Sequence, residues 1–218
     1  MDTPADQDID AALVAACFEQ VAARGWLRLS IAEAARAAGI ALVVARRRMP
    51  DRCALLLRFG ALADARALQG AAPEGPARDR LFDLVMRRID FLQAHRAGVV
   101  ALLRAVPFDP PAALLLTAAS LRSMAWLLEG AGIAAAGPQG GLRAAGMLAV
   151  WGWTVRAWQR DTSEDLAATM AALDAALTRA ERAAGWLAPR PRVESPADSS
   201  TADSPHAGAA DVPITPRE

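Results

Sequence analysis

"SIAEAARAAGIALVVARRRMPDR", residues 30–52, decides how this chain folds. Ser30 followed three residues later by Glu33 is the pattern of a capping box, in which hydroxyl and carboxylate each satisfy a free backbone N–H at a helix start. The helix that begins at Ile31 is short, because Gly39 supplies a turn after "AEAARAA". A third helix fits only between about Ala41 and Met49 before Pro50 stops it. Asp51 then caps a fourth, which contains the apolar run "ALLLRF". Two short helices joined by a glycine turn, braced by a longer one before them, form the helix-turn-helix pattern.

Working outward, Leu13, Val14, Cys17, Phe18 and Val21 mark the buried stripe of that bracing helix, from about Ile9 to Ala23. "RGW" at residues 24–26 ends it, with Gly25 as a left-handed cap. Beyond "QGAAPEGPA", residues 69–77, the helices lengthen. The apolar spacing predicts helices over Ala77 to Ala94, over "AGVVALLRAV" (closed by Pro107), and over Pro111 to Glu129. "GAGIAAAGPQGG", residues 130–141, reads as a loop. The last two helices run from about Leu142 to Arg160 and from Ser163 to Gly185, across the hinge "DTS", where Thr162 and Asp165 resemble a second capping box. Alanine and leucine dominate and no segment alternates with period two, so the expected class is all-α. From Pro189 onward, proline and small polar residues cannot offset chain entropy by burial. The expected organisation is a disordered N-terminus (1–8), a helix-turn-helix head (9–59), a helical body (60–187) and a disordered tail (188–218).

The 218 residues carry 24 basic and 24 acidic groups, so no whole-molecule field draws in nucleic acid and a local patch must do so. Such a patch exists: between Arg24 and Phe59 there are eight arginines against Glu33 and Asp51, an excess of six positive charges. Every cation in the chain is an arginine, which makes each one a weaker sign of phosphate recognition than arginine usually is. Cys17 and Cys53 show no metal or disulfide spacing, which fits a reducing cytoplasm. The N-terminus lacks the basic and apolar regions of a signal peptide. The apolar run Ala144 to Val155, 12 residues, is shorter than the roughly 20 a membrane span needs.

"AARGWLRLSIAEAARAAGI" (22–40) and "RRRMPDRCALLLRF" (46–59) resemble the tetracycline-repressor (TetR) family of bacterial transcription regulators. The resemblance implies a three-helix head on an all-helical ligand-binding and dimerisation body (60–187), and a homodimeric repressor that binds double-stranded DNA at a pseudo-palindromic operator and is controlled by a small hydrophobic ligand. Where that family carries a capping serine, a threonine, a tyrosine and a lysine, this chain has Ala41, Val44, Arg46 and Arg52. Residues 147–177, through the D-x-S-x-D-L-x-x-T-M-x-x-L-D pattern from Asp161 to Asp174, are also similar to the lipid-binding accessory proteins of ubiquinone biosynthesis, which share the fold. That second resemblance implies a lipid- or quinone-binding role.

The DNA-binding candidates are Arg28, Ser30, Val43, Val44, Arg46, Arg47, Arg48 and Arg52. On the third helix Leu42 and Ala45 should face inward, and Val43, Arg46 and Arg47 outward. Arg46 or Arg47 would pair with guanine in the major groove; Arg48 would hold a phosphate, as would Arg28, beside a helix start. In the body, Leu103, Met124, Trp126, Trp151, Val155 and Trp158 either line an apolar ligand pocket or pack the core and dimer interface. Apolar stripes on the last two helices (Leu142, Leu148, Trp151, Val155 and Trp158; Leu166, Met170, Leu173 and Leu177) mark the expected dimer contact. His95 sits alone at a helix end, where its charge would favour the dipole. Asp161, Glu164 and Asp165 read as caps. No phosphate loop, nucleophile elbow or ligand spacing is present, so neither catalysis, a metal nor a cofactor is expected.

Overall fold

The computed structural model describes residues 4–70 and 74–187, and every regular element in them is helical. The expected tail, 188–218, lies outside the described residues. The helices are α1 (Pro4–Arg24), α2 (Ile31–Ala37), α3 (Leu42–Arg48), α4 (Arg52–Leu68), α5 (Ala77–Ala94), α6 (Arg96–Ala105), α7 (Pro110–Gly130), α8 (Gly137–Trp158) and α9 (Ala167–Leu187). α1 starts earlier than its apolar stripe, at Pro4, a residue whose fixed φ suits a first helical turn. Residues 4–8 are therefore helical, where the sequence suggested disorder. α8 likewise begins inside the stretch read as a loop, because Pro138 stands in its first turn.

Head and body share one core. α1 packs along α6, and Gly98 makes this close approach possible: a Cβ there would lie 2.3 Å from the Phe18 carbonyl oxygen. α4 crosses the boundary expected at residue 59 without a break, with Leu55 and Leu56 buried on the head side and Ala63 and Ala67 on the body side. Phe18 of α1, Phe59 of α4 and Phe91 of α5 stack with centroids 4.4 and 5.2 Å apart. His95 completes this cluster, edge-on to Phe59 and Phe91. Its burial pushes its pKa below the ordinary value, against an opposing pull from Glu19, so the neutral ring is favoured rather than the charged dipole partner expected from its place at a helix end.

The hinge before α9 is built differently from the expected Thr162–Asp165 box. Asp161 organises it: Oδ1 accepts from the Ser163 N–H and hydroxyl (3.1 and 2.5 Å), and Oδ2 from the Thr169 N–H and hydroxyl (both 2.7 Å). These bonds, Ser163's first, hold the Asp161 carboxyl far below the usual carboxylate range. Leu166 turns the chain with φ of 55°, a conformation a non-glycine residue adopts at a cost, and its side chain is buried. Arg78 of α5 then fastens α9 by donating to Asp174 at 2.7 Å and to the Thr178 hydroxyl at 3.0 Å.

α7 is the most apolar long helix. An 18-residue window within it has a mean hydropathy of 1.4, long and apolar enough by composition to cross a membrane, although the sequence pointed to Ala144–Val155 as the longest such run. In the fold it packs between α4 and α8, burying Met124, Leu127 and Leu128.

Candidate nucleic-acid interface

The turn between α2 and α3 follows from glycine's freedom. Gly39 takes φ of 68°, and the Ile40 N–H reaches back to the Ala35 carbonyl at 2.9 Å, which closes α2 and redirects the chain. Ala41 precedes α3 with no side chain able to cap it, and Pro50 follows Met49, so α3 is held to seven residues. Its inner face is Ala45, with Met49 one turn on; both are buried. Asp51 then caps α4 as expected, its Oδ1 accepting from the Ala54 N–H at 2.8 Å.

The Ser30–Glu33 box is only half formed. Ser30 Oγ accepts from the Glu33 N–H at a long 3.4 Å, while the Ser30 N–H is taken by Gln20 Oε1 at 2.6 Å. The Glu33 carboxylate instead receives Arg24 at 2.6 Å and the Gln20 amide at 3.2 Å. Gln20 therefore does the work assigned to Glu33, because α1 passes close enough to supply an acceptor that local spacing cannot reveal.

Of the outward residues on α3, Val43 is 68% exposed, and Arg46 and Arg47 are exposed beside it. Val44 is half-buried. Leu42, expected to face inward, is 42% exposed, because it stands at the rim of an open groove of about 480 Å³ between α2, α3 and the start of α4. Arg46 also donates to the Pro50 carbonyl at 2.9 Å, which closes the end of the helix while leaving the side chain at the surface.

The arginines divide into two groups. Arg48, expected on a phosphate, is turned into the protein, where it lies 3.1 Å from Asp10; Arg58 meets the other oxygen of the same carboxylate, also at 3.1 Å. Arg52 stacks over Trp26 at 5.5 Å and faces Asp109 at 3.8 Å. Counting Asp10 and Asp109 lowers the local charge excess from six to four. Arg28, Arg36 and Arg47 are exposed, with no side-chain hydrogen bond or ion pair among the described residues. Arg36, at the end of α2, did not figure among the sequence candidates. Asp10 did leave a signal: it falls on the same stripe as Leu13, Val14 and Cys17, and an acid there needs a buried cation.

The body residues differ in burial. Met124 and Trp158 are fully buried, Trp151 is buried, Leu103 and Val155 are half-buried, and Trp126 is 62% exposed. Two of the buried indoles have specific polar neighbours. Trp158 donates to Gln93 Oε1 at 2.8 Å beneath Arg96, and Arg88 lies 5.0 Å from the Trp151 ring. Trp151, Trp158, Leu173 and Leu177, expected at the dimer contact, are core residues of the protomer. The exposed side of α8 instead carries Leu142, Ala145, Gly146, Ala149, Gly152, Trp153 and Arg156.

No protein-family model matches the chain, and no curated protein matches it by sequence. Solved structures do match its fold. A TetR transcriptional regulator from Nitrosomonas europaea superposes with a TM-score of 0.65 at 21% identity, covering 79% of this chain and 98% of its own. A tetR-family transcriptional regulator from Streptomyces coelicolor gives 0.54 at 20% identity, covering 80% and 84%. The chain therefore has the TetR fold.

Proposed function

We propose that this protein is a DNA-binding transcriptional regulator, a cytoplasmic homodimeric repressor whose body binds a small, largely apolar effector. The single observation that carries this reading is α3: a short helix after a glycine turn, with Val43, Arg46 and Arg47 all turned to the surface. That arrangement suits a helix entering a major groove, with valine available to thymine methyls and arginine to guanine. Arg28 and Arg36 then serve phosphates on either side, and Arg48 and Arg52 serve the head's own architecture. The similarity of the fold to solved transcriptional regulators supports the same reading.

The exposed face of α8 suits the dimer contact. Gly146, Ala149 and Gly152 let a second helix approach closely, and Leu142 and Trp153, 59% and 52% exposed, flank them. A dimer would present two copies of α3 to successive half-sites. We read α7 as a body helix rather than a span, since its buried side is shared with α4 and α8. The accessory-protein alternative rests on residues 147–177, and four polar side chains of its pattern, Asp161, Ser163, Thr169 and Asp174, are engaged in the hinge and in fastening α9. Selection of genomic DNA fragments by the purified full chain at physiological salt tests the reading: a recurrent pseudo-palindrome supports it, and retention of fragments with no shared sequence opposes it.

A further inference from the structure

The first four residues of α3, Leu42, Val43, Val44 and Ala45, hold no side chain that can give or take a hydrogen bond. Ala45 is buried and Val44 half-buried, which leaves Val43, 68% exposed, and Leu42, 42% exposed, as the outer surface of this half of the helix. Cations follow on the same side. Arg47 stands four residues after Val43, about one turn along the helix, and is exposed with no side-chain hydrogen bond or ion pair among the described residues. Arg46, three residues after Val43, has already given a donor to the Pro50 carbonyl at 2.9 Å. Four residues of helix rise about 6 Å, less than two base-pair steps of about 3.4 Å each. Whatever Val43 and Arg47 touch on a duplex therefore lies within two base pairs.

Against the edges of base pairs, an apolar side chain has one favourable partner. Amino groups, carbonyls and ring nitrogens set opposite valine lose water and gain no bond in return. A C5 methyl group in the same place is simply withdrawn from water, which is favourable. We propose that Val43, flanked by Leu42, reads the C5 methyl of a pyrimidine, and that Arg47 reads a guanine within two base pairs of it. This rests on the regulator reading and names the class of DNA its head accepts. The site is defined by the methyl group rather than by the pairing edge of the base. Thymine satisfies it and 5-methylcytosine also does, because both carry the methyl at C5. Cytosine and uracil, which lack it, do not.

The test compares duplexes built on the half-site recovered by selection, each bound to the full chain at one salt concentration and followed by fluorescence anisotropy. Each thymine is replaced in turn by uracil, which differs only in lacking the C5 methyl. At one thymine, within two base pairs of a guanine, the change should cost about fourfold in affinity per half-site, the scale of one buried methyl group. With cytosine placed at that position, 5-methylation should restore about the same factor. Val43→Ala, which keeps a good helix former, should remove both effects. Arg47→Ala should weaken every duplex and keep the ratio of thymine to uracil. Equal binding of thymine and uracil at every position, 5-methylcytosine bound no better than cytosine, or a ratio that survives Val43→Ala would each overturn the proposal. A selected duplex bound without regard to methyl groups sinks this proposal alone. Failure to select any duplex sinks the regulator reading beneath it as well.

Discussion

Asp10, on the apolar face of α1 and 1% exposed, lies 3.1 Å from Arg48 and draws it away from the exposed side of α3. Arg58 meets the other oxygen of the same carboxylate, so one acid serves two arginines at the junction of α1, α3 and α4. Asp10→Ala removes the buried carboxylate they share, and unfolding by denaturant should show a loss of about 3 kcal/mol, the scale of breaking a largely buried pair. An unchanged unfolding midpoint would show that the pair has no structural weight.

The same contact separates neighbouring arginines by role. Arg47→Ala should leave stability unchanged and reduce the slope of log affinity against log salt by about 1, as expected for one lost phosphate or base contact. Arg48→Ala should lower stability and leave that slope alone. A reversal of the two behaviours contradicts the division of the head into reading and structural arginines.

Trp26, in the turn after α1, donates its indole N–H to Asp109 Oδ2 at 3.0 Å across 83 residues, and the other Asp109 oxygen caps α7 through Ala112. The indole bond is the main reason the Asp109 carboxyl sits below its ordinary range. Trp26→Phe keeps the ring and removes the donor. It should lower the thermal midpoint by a few degrees and return the Asp109 resonance, followed by NMR titration, toward an ordinary aspartate value.

Gly98 faces the Phe18 backbone so closely that any Cβ overlaps it. Gly98→Ala should separate α1 from α6 and destabilise by about 1–3 kcal/mol, as overpacking does. Gly146→Ala, on the open face of α8, meets nothing within the protomer. It should leave the monomer's packing intact and weaken the proposed dimer, measured by sedimentation.

His95 lies among Phe18, Phe59 and Phe91, with Glu19 the charged group acting on it. Its folded pKa is depressed, so its contribution to stability is fully present above 6.5 and is lost as pH falls through the folded value. Asp161 is also depressed, and its contribution fades only below the carboxylate range. Between pH 7 and 5 the chain should therefore lose stability through His95, and His95→Phe should flatten that loss in thermal scans. A wild-type midpoint that is level across this interval contradicts the assignment.

Local signals in the sequence carried the helix-turn-helix far. Gly39, Pro50 and Asp51 act within a few residues of themselves, so the boundaries of α2, α3 and α4 were legible. Arg48 and Ser30 were not, because their partners, Asp10 and Gln20, arrive from α1 by tertiary packing. The same limit explains the body: apolar period identified which faces of α8 and α9 carry leucine and tryptophan, but not whether a buried stripe meets its own protomer or a second one. The start of α8 was hidden by its glycines, whose low helix propensity masks a first turn that Pro138 opens and that packs at Gly140 against Ala135.

The most direct test of α3 as a reading helix compares two duplexes at one salt concentration: the sequence recovered by selection and a scrambled duplex of equal length. The wild-type chain should prefer the selected duplex by about 10³ or more, the gap usual between specific and non-specific binding. Arg46→Ala/Arg47→Ala should erase most of that preference while the protein remains folded. Equal affinity of the wild-type chain for both duplexes would contradict the account, since the head would then hold phosphates and read no bases.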